Sequence, residues 1–292
     1  MGRQYTIDGL RYKLGRKMHP PKHPDIHFLP TSAGNIRFLD TKAGKETLLI
    51  IPDGPNVIEH YYPSLGPLRK SFRVVIFDLP GFGFSSNNGR YDYSYPATNQ
   101  LILEILDYLR LEAVNVVFPC GHGFYGLAFT QAHPEKVKHL LLVQTPSQGE
   151  MQKWTDRTVP GMLKVPYLGQ MLMPFMEKKF AHIWYKYALP KGIDRQPYQA
   201  TALDCIKAGG RFCLCSLSQG LLKTMGTDLS VDPSIPMTMV HGNMDFTHKT
   251  TRFESIREYH PKVDIITFDR CGHFPDLEMP NLFLQLLKEK LI

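Results

Sequence analysis

Long hydrophobic runs are missing from this chain. No stretch of about 18 apolar residues occurs, which excludes a membrane-spanning helix of the usual kind. The first thirty residues carry Arg3, Asp8, Arg11, Lys13, Arg16 and Lys17, so they offer no signal-type apolar region. Met1-Gly2-Arg3-Gln4-Tyr5-Thr6 does fit the N-myristoylation pattern, a short one that unrelated sequences often match by chance. Cysteine is scarce and irregular. Cys120, Cys205, Cys213, Cys215 and Cys271 are odd in number and scattered, Cys213-Leu214-Cys215 is not a metal-binding spacing, and no flanking histidine completes one. Free thiols in a reducing, cytoplasmic compartment are expected, with no metal and no cofactor. Nor does a nucleic-acid module appear. The net charge of +7 lies largely at the N-terminus and in Lys178, Lys179, Lys186, Lys191 and Lys207, so it reads as a solvated basic surface without a nucleic-acid partner.

What is present suits an ordinary globular protein. The 292 residues are 43% hydrophobic, enough for one large domain with an insertion, and neither repeats nor low-complexity segments interrupt them. Short β-branched runs alternate with helical patterns, which argues for an α/β fold with a mostly parallel sheet. The clearest strands are Thr47–Pro52, Arg73–Phe77, Asn115–Cys120, His139–Gln144, Met237–His241 and Val263–Phe268. Most are nearly continuous hydrophobic runs, as expected where helices cover both faces of a sheet. Ile36–Leu39 and part of Asp25–Leu29 are candidates for antiparallel strands at the start. Ala97–Leu111 and Asn281–Leu291 show helical spacing of apolar residues. From Pro146 to about Pro233 the chain turns rich in Met, Tyr, Phe and Lys, with weak strand signals. This segment reads as a helical cap whose Met and aromatic side chains line an adaptable apolar pocket or pack the cap onto the body.

The run Val116-Val117-Phe118-Pro119-Cys120-Gly121-His122-Gly123-Phe124-Tyr125-Gly126 reads as a strand, a sharp turn and the start of a helix. That is the setting in which a G-x-S-x-G elbow presents a nucleophilic serine. Here Gly123 holds the serine position, and a glycine has no side chain with which to attack. Four more segments flank it in order: Ile51-Pro52-Asp53-Gly54-Pro55, Asp78-Leu79-Pro80-Gly81-Phe82-Gly83, His241-Gly242-Asn243-Met244-Asp245 and Cys271-Gly272-His273-Phe274-Pro275. Together they resemble the α/β-hydrolase superfamily from about Ile36 to the C-terminus. The resemblance implies an eight-stranded, mostly parallel sheet flanked by helices, with the core in 31–145 and 234–292. A helical cap fills 146–233, and a basic extension covers 1–30.

By position in that family, Asp245 matches the triad acid and His273 its base. A buried carboxylate there fixes the imidazole tautomer, so that the other ring nitrogen faces the pocket. Pro55 stands where the family supplies a backbone N–H to the oxyanion hole, and proline has none. Losing one such donor costs about two to three orders of magnitude in rate. Phe124 offers a remaining N–H, and the Asn56 side chain a substitute. Asp53, in place of the common histidine of the turn, is either a carboxylate at the pocket or a turn-stabilising residue. His122 is expected to pack under the elbow. Tyr125 either narrows the site or fills the space between helix and sheet, and Gly54 shapes the turn. Cys120 is expected to be a small core residue whose thiol points elsewhere. These residues imply an enzyme without a serine acyl-enzyme, acting on a small apolar substrate through His273–Asp245 acid/base chemistry of the lyase, isomerase or direct-water type. The rival expectation is an inactive protein of the same fold that binds a ligand or partner.

Overall fold

In the computed structural model, which describes residues 19–207 and 213–292, the hydrophobic runs pair into a single eight-stranded sheet. Its strands are β1 (Ile26–Thr31), β2 (Gly34–Asp40), β3 (Glu46–Ile50), β4 (Phe72–Phe77), β5 (Val114–Pro119), β6 (Val137–Val143), β7 (Met237–Gly242) and β8 (Asp264–Phe268). They lie in the order β1-β2-β4-β3-β5-β6-β7-β8. β1 pairs antiparallel with β2, and β2 with β4; every later pairing is parallel. Strand β1 starts at Ile26, so the sheet begins inside the stretch 1–30 that the sequence assigns to the extension. The N-myristoylation pattern and most of the basic residues of that extension lie outside the described residues.

Alternate side chains on each strand serve two cores. Leu49, Val75 and Phe118 join the larger cluster on one face, whereas Leu48, Val74 and Val117 join the smaller one on the other. Burial on both faces explains why these strands read as unbroken apolar runs. Helices α1 (Tyr62–Leu68), α2 (Tyr95–Leu109) and α3 (Gly123–Ala132) connect the first strands. The Ser94 hydroxyl accepts from the Ala97 N–H to cap α2, which buries Leu101, Ile102, Ile105 and Leu106 and stops at Arg110, a residue with φ +53°. Between β6 and β7 the chain forms α4 (Gln148–Thr158), α5 (Gly161–Lys164), α6 (Leu168–Ala188), α7 (Gln196–Cys205) and α8 (Cys213–Thr224). After β8 come α9 (Pro275–Glu278) and α10 (Pro280–Leu291), the latter burying Phe283, Leu286 and Leu287. The loops at the carboxyl ends of β3, β5, β7 and β8 converge, which is where open parallel sheets carry their sites.

Candidate active site

Strand β5 delivers its chain end to a sharp turn, and the residue that bears the strain is Cys120. Its φ of +46° is one that few non-glycine residues adopt; such a conformation costs on the order of 1–3 kcal/mol and concentrates at functional sites. A 3-10 turn over Cys120–His122 follows and leads into α3. Gly123 is not the elbow. Its φ of −56° and ψ of −30° are those of an ordinary first helical turn. A Cβ there would lie 2.1 Å from Thr145 Oγ1 and 2.6 Å from Thr145 Cγ2, so no serine fits. Thr145 in turn donates to the carbonyls of Cys120 (3.0 Å) and Val143 (3.2 Å), buttressing the turn from below. Two features mislead the sequence reading: the Gly121-His122-Gly123 triplet imitates the family spacing, and Cys120 is hidden as the last residue of an apolar strand.

Asp245, just after β7, and His273, just after β8, do come together. Asp245 Oδ2 lies 2.6 Å from His273 Nδ1 and both side chains are buried. The carboxylate is fully satisfied, accepting also from the Gln144 amide at 2.8 Å and from the Thr247 N–H and hydroxyl at 2.8 and 2.7 Å. Burial alone would push its pKa up, but His273, His248 and Thr247 outweigh that and hold it below the usual range. On the other side of the ring, Asp53 Oδ2 lies 3.0 Å from His273 Nε2. The imidazole is therefore clamped between two carboxylates. Burial opposes its charge, yet Asp245, Cys120 and Asp53 prevail and raise its pKa well above the ordinary value.

The Cys120 sulfur lies within 4.8 Å of a ring nitrogen of His273, beside the Gly121 N–H. Burial, followed by the charge of Asp53, pushes its pKa up to about 11 against the opposing pull of His273. The thiol is thus protonated at rest while the ring carries the positive charge.

The remaining candidates separate. The Asn56 N–H is tied to the Asp53 carbonyl at 2.6 Å and its Oδ1 accepts from Tyr185 of α6 at 2.6 Å, while its Nδ2, also buried, has no partner. Gly54 lines a cavity between the strand ends and helices α4, α6 and α8. His122 turns away from the site, its Nδ1 2.9 Å from the Pro52 carbonyl, and burial keeps it neutral. Tyr125 donates to the Tyr93 carbonyl at 2.8 Å, filling the space between α3 and its neighbours. Phe124 is buried within α3, one turn from the strained residue, so the backbone N–H beside the thiol is that of Gly121.

Three residues that the sequence reading passed over complete the surroundings. His248 stacks on His273, with ring centroids 5.2 Å apart, and on Trp154 at 4.9 Å. Trp184 meets the His273 ring edge-on at 5.0 Å. The two tryptophans lie on α4 and α6, and together with Gly54, Leu163, Met173 and Leu217 they line a cavity of about 110 Å³ with mostly apolar walls. A wider space of about 290 Å³ shares Leu163, Phe180 and Trp184 and runs out toward Met176 and Ile183. No sequence periodicity marks these residues, because they meet only through the docking of α4 and α6 on the strand ends. The Met-rich, aromatic character of residues 146–233 was their one visible sign. Among the described residues, one group has the donors for a metal ion: one ligand atom each from Cys120, His248 and His273 lies within 4.8 Å of the others.

With this geometry in view, likeness to known proteins can be placed. Residues 46–174 match the family described as the alpha/beta hydrolase fold. The chain is 32% identical over 111 residues to a poly(3-hydroxyalkanoate) depolymerase of Ectopseudomonas oleovorans, a match covering 38% of this chain and 36% of that protein, so it spans about a third of the relative. It is 23% identical over 259 residues to 2-hydroxy-6-oxo-2,4-heptadienoate hydrolase of Pseudomonas putida, covering 86% of this chain and 90% of the relative. The crystal structure of an epoxide hydrolase from Vigna radiata superposes with a TM-score of 0.73 at 13% identity, over 92% of this chain and 98% of that one. Among the described residues no helix is long and apolar enough to cross a membrane. The order of the sheet, the histidine and aspartate at its carboxyl edge and these likenesses agree: the chain has the α/β-hydrolase fold, and its residues 46–174 match the family of that description.

Proposed function

We propose that this protein is a thiol-dependent hydrolase of the α/β-hydrolase fold, acting on a small acyl compound with an apolar acyl group held under the cap. Cys120 is the nucleophile, His273 the general acid/base and Asp245 the group that orients it. The observation that carries this reading is the left-handed Cys120, placed at the strand-to-helix turn within reach of the His273 ring. A non-glycine residue held in a strained conformation beside a clamped imidazole is what an activated nucleophile requires.

The proton balance follows from the two carboxylates. Nε2 of His273 already carries a proton, so the acceptor left for the thiol proton is Asp53. Its transfer leaves a thiolate beside an imidazolium with the net charge of the group unchanged. The thiolate adds to the carbonyl carbon, and the resulting oxyanion meets the Gly121 N–H and the Asn56 Nδ2, the unpartnered donor that offsets the missing N–H of Pro55. His273 then protonates the leaving oxygen and a thioester remains on Cys120. Water adds to that thioester, giving its proton to the now neutral imidazole, and expels the thiolate, which takes its proton back from Asp53 and so restores the resting state.

A second reading keeps the proton-transfer chemistry and omits the covalent step. It is supported by the thiol's pKa of about 11, which leaves little thiolate at neutral pH. In it, His273 and Asp53 move protons on substrate or water, while Cys120 remains a bystander.

One experiment separates the two. The protein is incubated with a p-nitrophenyl ester of a short acid, quenched in acid and digested for mass spectrometry. Thiol catalysis gives an acyl mass on the peptide containing Cys120, and Cys120→Ala then loses both the adduct and about two or more orders of magnitude in turnover. An unmodified Cys120, together with Cys120→Ala turning over at the wild-type rate while His273→Ala is dead, gives the acid/base reading instead. Indifference to both substitutions leaves a binding protein.

A further inference from the structure

We infer that Cys120, His248 and His273 form an inhibitory binding site for a borderline-soft divalent cation such as Zn2+, which closes the active site by occupying the thiol. Within the site proposed above this would be a regulatory device, and it rests on that reading only for the claim that binding stops turnover.

The donor set is the first argument. One thiolate and two imidazoles suit Zn2+ or Co2+ and not Mg2+ or Ca2+, which prefer oxygen. Geometry is the second. In tetrahedral coordination, Zn–S of about 2.3 Å and Zn–N of about 2.0–2.1 Å place neighbouring donors roughly 3.3–3.7 Å apart. The three donors here already lie within 4.8 Å of one another, so side-chain rotations of about 1 Å bring them to a common centre.

The third argument is independent of the catalytic residues. His248 is buried, yet its Nε2 has no hydrogen-bond partner, whereas its Nδ1 lies 3.1 Å from Thr251 Oγ1. His273 likewise has its Nδ1 held by an outer partner, Asp245 at 2.6 Å, while its Nε2 is shared with Asp53 at 3.0 Å, a bond that the cation would replace. Metal-binding histidines are oriented by this kind of outer partner on the nitrogen that does not bind. A buried ring nitrogen without a partner is unfavourable, so His248 at this spot needs a reason that hydrolysis does not supply. Charge also fits, since Asp53 beside His273 Nε2 and Asp245 behind Nδ1 surround the centre with negative charge. Binding displaces the thiol proton and the Nε2 proton to solvent, and the cation takes their place.

The test uses the full chain freed of metal by chelation and then titrated with Co2+, with no substrate present. Expected is one equivalent bound, with the intense near-ultraviolet band of a cobalt–thiolate bond. Cys120→Ser should lose that band. His248→Phe, which keeps a ring against Trp154, should weaken binding by more than the roughly 10- to 100-fold typical of losing an outer-shell partner. In the wild type, Zn2+ should also shield Cys120 from iodoacetamide, a readout that needs no variant. Turnover of a p-nitrophenyl ester by the wild type should fall as Zn2+ is added and recover on chelation. Absence of the band, lack of Zn2+ protection of Cys120, or equal Co2+ affinity in His248→Phe would each overturn the site. Binding without hydrolytic activity would instead refute the thiol-hydrolase reading and leave the metal site standing.

Discussion

Gly123→Ala tests the placement of the elbow directly. The added Cβ would lie 2.1, 2.6 and 2.8 Å from Oγ1, Cγ2 and Cβ of Thr145, all far inside van der Waals contact. Overpacking of this kind costs about 1–3 kcal/mol. If Thr145 swings away to make room, it gives up its hydrogen bonds to the Cys120 and Val143 carbonyls in a buried site, at about 1–3 kcal/mol. Replacing a helical glycine by alanine returns about 0.5–1 kcal/mol through the unfolded chain. The net expectation is a loss of about 2–4 kcal/mol, which for a chain of this length corresponds to a melting temperature lower by roughly 4–8 °C. Urea denaturation followed by circular dichroism measures it. Adding Thr145→Ala removes Oγ1 and Cγ2, so the double variant should fall short of the summed single losses by about 1 kcal/mol or more. Gly123→Ser should be at least as unstable as Gly123→Ala and should not react with a fluorophosphonate. A Gly123→Ser protein as stable as the wild type, and labelled on Ser, would refute the reasoning and return the nucleophile position to residue 123.

Two further outcomes follow from buried charge away from the elbow. The fully buried Arg37 guanidinium bonds Glu59 at 2.5 and 3.1 Å and Asp78 at 3.3 Å, so Arg37→Ala leaves Asp78 uncompensated and should cost about 3–5 kcal/mol in urea denaturation; a loss below about 1 kcal/mol would contradict the pairing. His139 is buried on β6 beside Thr238, and burial followed by Lys290 lowers its pKa from 6.5 to about 4. The unfolded chain therefore binds the extra proton first, and this contribution to stability is lost as the pH falls from 6.5 through about 4. Between pH 7 and 4.5 the wild type should lose on the order of 2 kcal/mol relative to His139→Gln, and parallel stability curves for the two proteins would rule the shift out.

The strands and the helix Tyr95–Leu109 were legible in the chain because their signals are local. Continuous apolar runs mark strands buried on both faces, and Ser94 followed by Pro96 marks a helix start. Asp245 and His273 were legible for a related reason: each closes a strand in a short turn, and the order of those turns along the chain survives without any knowledge of distance. The boundary at residue 30 was less so, since β1 contains Pro30 and polar neighbours and earns its place only by pairing with β2. The conformation of the turn after β5 lay beyond local reading altogether. Gly121-His122-Gly123 has the right spacing for an elbow, and only the clash with Thr145 excludes it, through a contact between two loops that follow neighbouring strands. Backbone φ at Cys120, the second carboxylate on His273, and the stacking of His248 and Trp154 depend likewise on segments 20 to 220 residues apart meeting in space. The sequence by itself therefore determined the sheet, its order of turns and the imidazole–carboxylate pair, because periodicity and turn chemistry act over a few residues. The strained turn at Cys120 and the charge around it were decided by tertiary structure, because sterics and electrostatics act through space between parts of the chain that no local pattern connects.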